Sequence, residues 1–230
     1  MRKFLIGVLL AIMCLMVPAQ SLADTYELAT SADDLMSAYV DGVPSATNPA
    51  TTNLTFGRMQ IGSDYQFWTY YRYALPISRA SKITSAKLHF LANQDGAGVF
   101  NTSIRGLAKD NKWEVGGFTA ANYTDASDTL AIGTIGAPVT WSNVAAWTDT
   151  NWYYSPELAT ILQTQIDSAD YDPSHGEDKY VGFAIDDGDG AFGATQYARR
   201  TDSWDTTPGD AVELVVTYTL PIRQLIMIRR

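Results

Sequence analysis

From Asp24 onward the chain is interrupted by Gly, Asn, Asp, Ser and Thr turn signals about every 8 to 15 residues, and the runs between them are short, β-branched and aromatic. That rhythm leaves no room for long helices. It is the spacing of an antiparallel sandwich or jelly roll. Alternating apolar and polar positions predict strands over 55–61, 67–75, 83–92, 102–108, 139–141, 180–186 and 211–218. In 83–92, Leu88 and Phe90 point one way, and Lys87 and His89 the other.

One helix is predicted over 156–169. Ser155 can cap it, Pro156 suits its first turn, and Glu157 complements the positive end of the helix dipole. Leu158, Ile161, Leu162 and Ile166 fall at helical spacing. The expected fold is therefore all-β, a jelly-roll β-sandwich over 24–219 with one short amphipathic helix at one end.

The first residues read as a secretory signal. Arg2 and Lys3 precede an apolar run over 4–17, Pro18 breaks it, and Ser21-Leu22-Ala23 offers the small residues of a cleavage site after Ala23. The run is shorter than the roughly 20 residues a bilayer span needs. Cys14 is the single cysteine, so a chain cleaved after Ala23 carries no disulfide and is held by its core alone. Losing Arg2 and Lys3 moves the net charge from −9 to −11. A surface that acidic repels nucleic acid and anionic membranes. The tail 220–230 mixes aliphatic residues with Arg223, Arg229 and Arg230 and suits a last edge strand, an unstructured end or a docking segment.

Catalytic signatures are sparse. His89 and His175 lie far apart with no metal-binding spacing. No G-x-S-x-G turn presents a nucleophilic serine. The glutamates are Glu27, Glu114, Glu157, Glu177 and Glu213, and their spacing suggests no acid–base pair for a glycosidase. The expectation is a protein that is not an enzyme.

Two clusters point to binding. Asp186, Asp187 and Asp189, with Gly188 and Gly190, could supply oxygen ligands to Ca²⁺, although the same residues also suit a β-turn. Asp33-Asp34 is a second, weaker calcium candidate. The aromatic stretch holds Trp141, Trp147, Trp152, Tyr153 and Tyr154. Trp141 reads as core. Trp147, Trp152 and Tyr153 are candidates for stacking on sugar faces, against the alternative of packing at the helix start.

Several short motifs resemble the DNRLRE-type domains. They include Ala32-Asp33, Phe56-Gly57, the arginine-centred run from Tyr71 to Pro76, Ile83-Thr84-Ser85-Ala86-Lys87-Leu88, and Val139-Thr140-Trp141. They continue through Gly182-Phe183-Ala184-Ile185, Arg199 to Asp202, Pro208 and Leu214-Val215-Val216-Thr217-Tyr218. Gly209 to Glu213 lengthens the gap before the final strand relative to that pattern. The resemblance implies a secreted jelly-roll domain similar to family 6 carbohydrate-binding modules. Three functions are thus in view. The first is a secreted glycan-binding module stabilised by calcium. The second is a surface, appendage or virion component whose tail docks on another protein. The third, and least supported, is a hydrolase with two carboxylates.

Overall fold

The computed structural model describes residues 20–48, 52–109, 113–119, 121–123, 128–129, 131–186, 188 and 197–221. Two antiparallel sheets stack face to face. The smaller runs β1 (Ser21–Tyr26), β12 (Glu213–Thr219), β6 (Lys82–Leu91) and β9 (Trp152–Tyr154), in that spatial order. The larger runs β11 (Tyr197–Asp202), β4 (Asn53–Ile61), β5 (Ser63–Ala74), β10 (Tyr180–Ile185), β7 (Phe100–Leu107) and β8 (Thr134–Val144). The hairpin of β2 (Asp34–Val40) and β3 (Val43–Asn48) joins it by pairing β2 with β5.

The seven strands expected from alternation are all present. The short strands β1, β2, β3, β9 and β11 were not legible, because none carries a long alternating run. The expected cleavage point after Ala23 falls inside β1, whose Ser21, Leu22 and Ala23 pair with Thr219, Tyr218 and Thr217.

Alternation places the core. Leu88 and Phe90 of β6, and Leu214 and Val216 of β12, meet Phe56, Tyr71, Tyr73, Ile104 and Phe183 of the other sheet. Ile83 and Ala86 both point inward although they are three apart, because the register with β12 shifts between Thr217 and Tyr218 and leaves Thr84 without a paired residue. A second core lies on the opposite face of the larger sheet. There Tyr70, Leu107 and Leu35 pack under Trp113, Phe118 and Tyr123. Arg72 ties that covering segment down. Its Nε lies 2.5 Å from Asp33 Oδ1, and its Nη1 donates to the carbonyls of Trp113 (2.7 Å) and Glu114 (2.9 Å).

The helix α1 (Ala159–Asp167) is shorter than expected and starts later. Residues 155–158 are occupied otherwise. The backbone N–H groups of Ser155 and Leu158 donate to the carbonyls of Leu88 and Ala86, continuing the pairing along β6. The Ser155 hydroxyl accepts from Leu88 N at 2.9 Å instead of capping the helix. Glu157 does serve the first turn, accepting from Ala159 N at 3.0 Å while also holding Ala86 N at 2.5 Å. Ile161, Leu162 and Ile166 face the core as their spacing implied.

Asp34 is wholly buried, and its Oδ2 accepts from Trp204 N at 2.9 Å. Burial, aided by the nearby charges of Asp205 and Asp33 and opposed by the Trp204 hydrogen bond, pushes its carboxyl up to about 8. The folded state therefore holds a proton that the unfolded chain, titrating near 3.8, releases. The stabilisation is complete below about 3.8 and is lost as pH rises through about 8. Asp34→Asn keeps the acceptor for Trp204 and removes the titration. Its melting temperature should fall less than that of the parent between pH 5 and pH 9, and should exceed the parent's at pH 9. Parallel melting profiles would contradict this assignment.

Candidate functional site

The three-residue strand β9 carries the feature of interest. Tyr154 pairs with His89, Tyr153 with Phe90, and Trp152 with Leu91. Strand geometry then sends Trp152 and Tyr154 to the outer face of the smaller sheet and Tyr153 inward. Trp152 is 40 % exposed and Tyr154 54 % exposed, high values for such large rings. Between them stands His89. Its ring centroid lies 4.2 Å from that of Trp152, with planes 28° apart, and 4.1 Å from that of Tyr154, with planes 8° apart. The result is a row of three rings on the outer face of the sheet.

His89 is fixed by a second contact. Its Nδ1 lies 2.9 Å from Oε2 of Glu213, its register partner on β12. The row is therefore anchored across three strands. His89 covers one face of each neighbouring ring, so Trp152 and Tyr154 each keep at most one face for a ligand. Farther along β6, Ser85 donates to Glu157 at 2.8 Å.

The rings singled out in the sequence divide between surface and core. Trp152 is in the outer row. Tyr153 points inward and stacks on Trp147, with centroids 4.8 Å apart and planes 8° apart, while its hydroxyl accepts from Thr148 N at 2.7 Å. Trp147 is only 3 % exposed and packs among Phe56, Phe90 and Trp141. A ring enclosed in this way has no face for a sugar. Neighbouring residues on a strand face opposite ways, so Trp152 and Tyr153 cannot share a surface. The pair consistent with alternation is Trp152 and Tyr154. The alternation over 83–92 sets His89 opposite Leu88 and Phe90. Burial alternation alone assigns it to the outer face, but only the β6–β9 pairing brings the two rings around it.

The acidic loop is described only in part. Asp187 and Asp189 lie outside the described residues. The Oδ1 of Asp186 accepts from Thr102 Oγ1 (2.7 Å), Ser103 N (2.9 Å) and Gly188 N (3.1 Å). Its Oδ2 faces Arg105 Nη2 at 3.3 Å. A carboxylate so supplied with donors and beside a guanidinium is a structural acceptor and does not fit a calcium ligand. Asp33 and Asp34 do not fit one either. Asp33 is bound to Arg72 and to the N–H groups of Ala29 and Thr30, and Asp34 is buried and protonated at neutral pH. Among the described residues no group of three His, Asp or Glu side chains could hold a metal ion. His175 is exposed, 3.9 Å from Asp172. Of the tail, residues 222–230 lie outside the described residues.

The fold and site define an antiparallel β-sandwich that carries an exposed aromatic row on its smaller sheet. Compared with known protein families and with curated proteins, the chain gives no match.

The surface and core tryptophans should respond differently to truncation. Trp147→Ala should cost about 3–5 kcal/mol in chemical denaturation, as expected for a buried indole. Trp152→Ala should cost about 1 kcal/mol, the worth of one exposed ring stack. Equal losses would show that Trp152 is part of the core.

Proposed function

We propose that the protein is an exported, non-catalytic binding module that holds a neutral glycan on Trp152 and Tyr154. The observation that carries this reading is the Trp152–His89–Tyr154 row. Exposed large rings leave apolar surface in water that a stacked ligand would cover, and rigid rings with two χ angles bind at low entropic cost. Sugar C–H faces stack on such rings by dispersion. His89 and Glu213 bring polar atoms close enough to the rings to hydrogen-bond hydroxyl groups beside them. The jelly-roll reading of the sandwich, and its resemblance to DNRLRE-type domains, rest on the sequence motifs and agree with this role.

Binding to an array of neutral polysaccharides and their oligosaccharides tests the reading. At least one should bind, and Trp152→Ala and Tyr154→Ala should each weaken it about tenfold, near 1.4 kcal/mol, with little change in melting temperature. An array with no bound glycan would overturn it.

Export rests on Arg2, Lys3 and the apolar run 4–17. Among the described residues no helix is long and apolar enough to cross a membrane. Expressed from its full sequence in a secreting host, the protein should appear outside the cytoplasm with Asp24 as its first residue by mass spectrometry. Retention of residues 1–23 would contradict a cleaved signal.

A further inference from the structure

A hollow of about 300 Å³ opens on the larger sheet, far along the chain from the aromatic row. It forms where β4 changes partners. Residues 53–58 of β4 pair with β11, but only 57–61 pair with β5. Beyond Phe67 the edge of β5 is taken by β10, which starts its pairing at Thr69. The exchange happens at Gly57, whose φ of +103° suits glycine and where a Cβ would stand 2.2 Å from the Tyr197 carbonyl oxygen. The hollow over the sheet at this point is walled by Met36, Met59, Tyr65 and Phe67, with Asn53 and Thr55 also lining it. The Tyr65 and Phe67 rings lie parallel, 7° apart in plane and 6.0 Å between centroids.

Among the described residues one charged side chain lines this space, Arg200. Three other guanidiniums of the sheet have carboxylate or carbonyl partners. Arg72 has Asp33, Arg105 has Asp186, and Arg199 donates to the carbonyls of Ala97, Gly98, Val144, Ala145 and Ala198. Among the described residues the Arg200 guanidinium has no such partner, and its Nε, like that of Arg105, is buried without a hydrogen-bond acceptor. Two carboxylates on adjoining segments have donors of their own. Asp202 Oδ1 takes the Asn93 amide at 2.7 Å, and Asp95 Oδ1 takes Asp149 N at 2.8 Å. A buried guanidinium donor without an acceptor is costly, and its planar fork matches a carboxylate.

We infer that this hollow is a second binding site, for a monocarboxylate carried on a flat apolar body, such as an aryl carboxylate. Arg200 takes the carboxylate, and Tyr65, Phe67 and the two methionine side chains take the ring. A single guanidinium balances one negative charge. A phosphate monoester, with a second charge, finds no second cation among the lining residues. The volume is at the lower end of small-molecule sites.

Met36 and Met59 both line the hollow, so their ¹³C-labelled methyl groups report on occupancy. The probes are 4-hydroxycinnamate, its neutral methyl ester and inorganic phosphate. The acid should shift both methyl resonances in a saturable way and bind at least tenfold more tightly than the ester, and phosphate should leave both unmoved. In Arg200→Gln the preference for acid over ester should vanish. In Arg200→Lys, which keeps the charge but not the fork, it should be reduced. Absence of shifts at millimolar acid, equal affinity for acid and ester, or tighter binding of phosphate would overturn the inference. The acid-to-ester comparison is made on the parent protein, so it decides the matter even if a variant fails to fold. It is also independent of glycan binding at Trp152.

Discussion

Strand β6 is hydrogen-bonded along both edges, to β12 on one side and β9 on the other. That double pairing decides where every aromatic ring nearby goes. It sends Phe90 and Tyr153 inward, into contact with the cluster around Phe56, Trp141 and Trp147. It sends His89, Trp152 and Tyr154 outward. A slip of one residue between β6 and β9 would turn Trp152 and Tyr154 inward and Tyr153 outward, breaking the row and the Trp147–Tyr153 stack. The continuation of pairing through Ser155 and Leu158 opposes such a slip, because Glu157 and Ser155 hold the N–H groups of Ala86 and Leu88.

No disulfide helps, since the chain has a single cysteine at position 14. Buried arginines take over part of the fastening. Arg199 is fully buried and spans from β11 to the carbonyls of Ala97 and Gly98 and of Val144 and Ala145, which flank β7 and β8. Its guanidinium also lies 5.0 Å from the centre of the Phe100 ring. Burial pulls its pKa down to about 10, and it stays charged at neutral pH, with carbonyl oxygens in place of a carboxylate. Arg72 does the equivalent on the opposite face, drawing the segment around Trp113 onto the sheet. Removing either would leave several buried carbonyls without a donor.

The layers of the fold were legible where apolar residues alternate over six or more positions, as in β6, β10 and β12. They were not legible in β9, where three aromatic residues in a row hide the alternation. The same blind spot affected the site. Trp152 was found by its residue type, but Trp147 and Tyr153 were grouped with it because sequence proximity says nothing about facing. His89 was recognised as outward yet not as part of the row, since its neighbours are more than 60 positions away and only the sheet order brings them together. Among the acidic residues of the loop, Asp186, Asp187 and Asp189, only Asp186 is described. Asp186 has the composition of a calcium loop, but the carboxylate is already committed to Thr102, Ser103 and Gly188. Composition reveals which groups are present and not which hydrogen bonds they have made.

The central claim is that a sugar meets the outer row and leaves the inner rings untouched. Two-dimensional NMR during titration with a bound oligosaccharide tests it residue by residue. The account expects the indole N–H of Trp152 and the ring protons of Tyr154 and His89 to shift together, while the indole N–H groups of Trp147 and Trp141 stay in place. Shifts centred on Trp147, or a saturated complex in which Trp152 does not move, would contradict it.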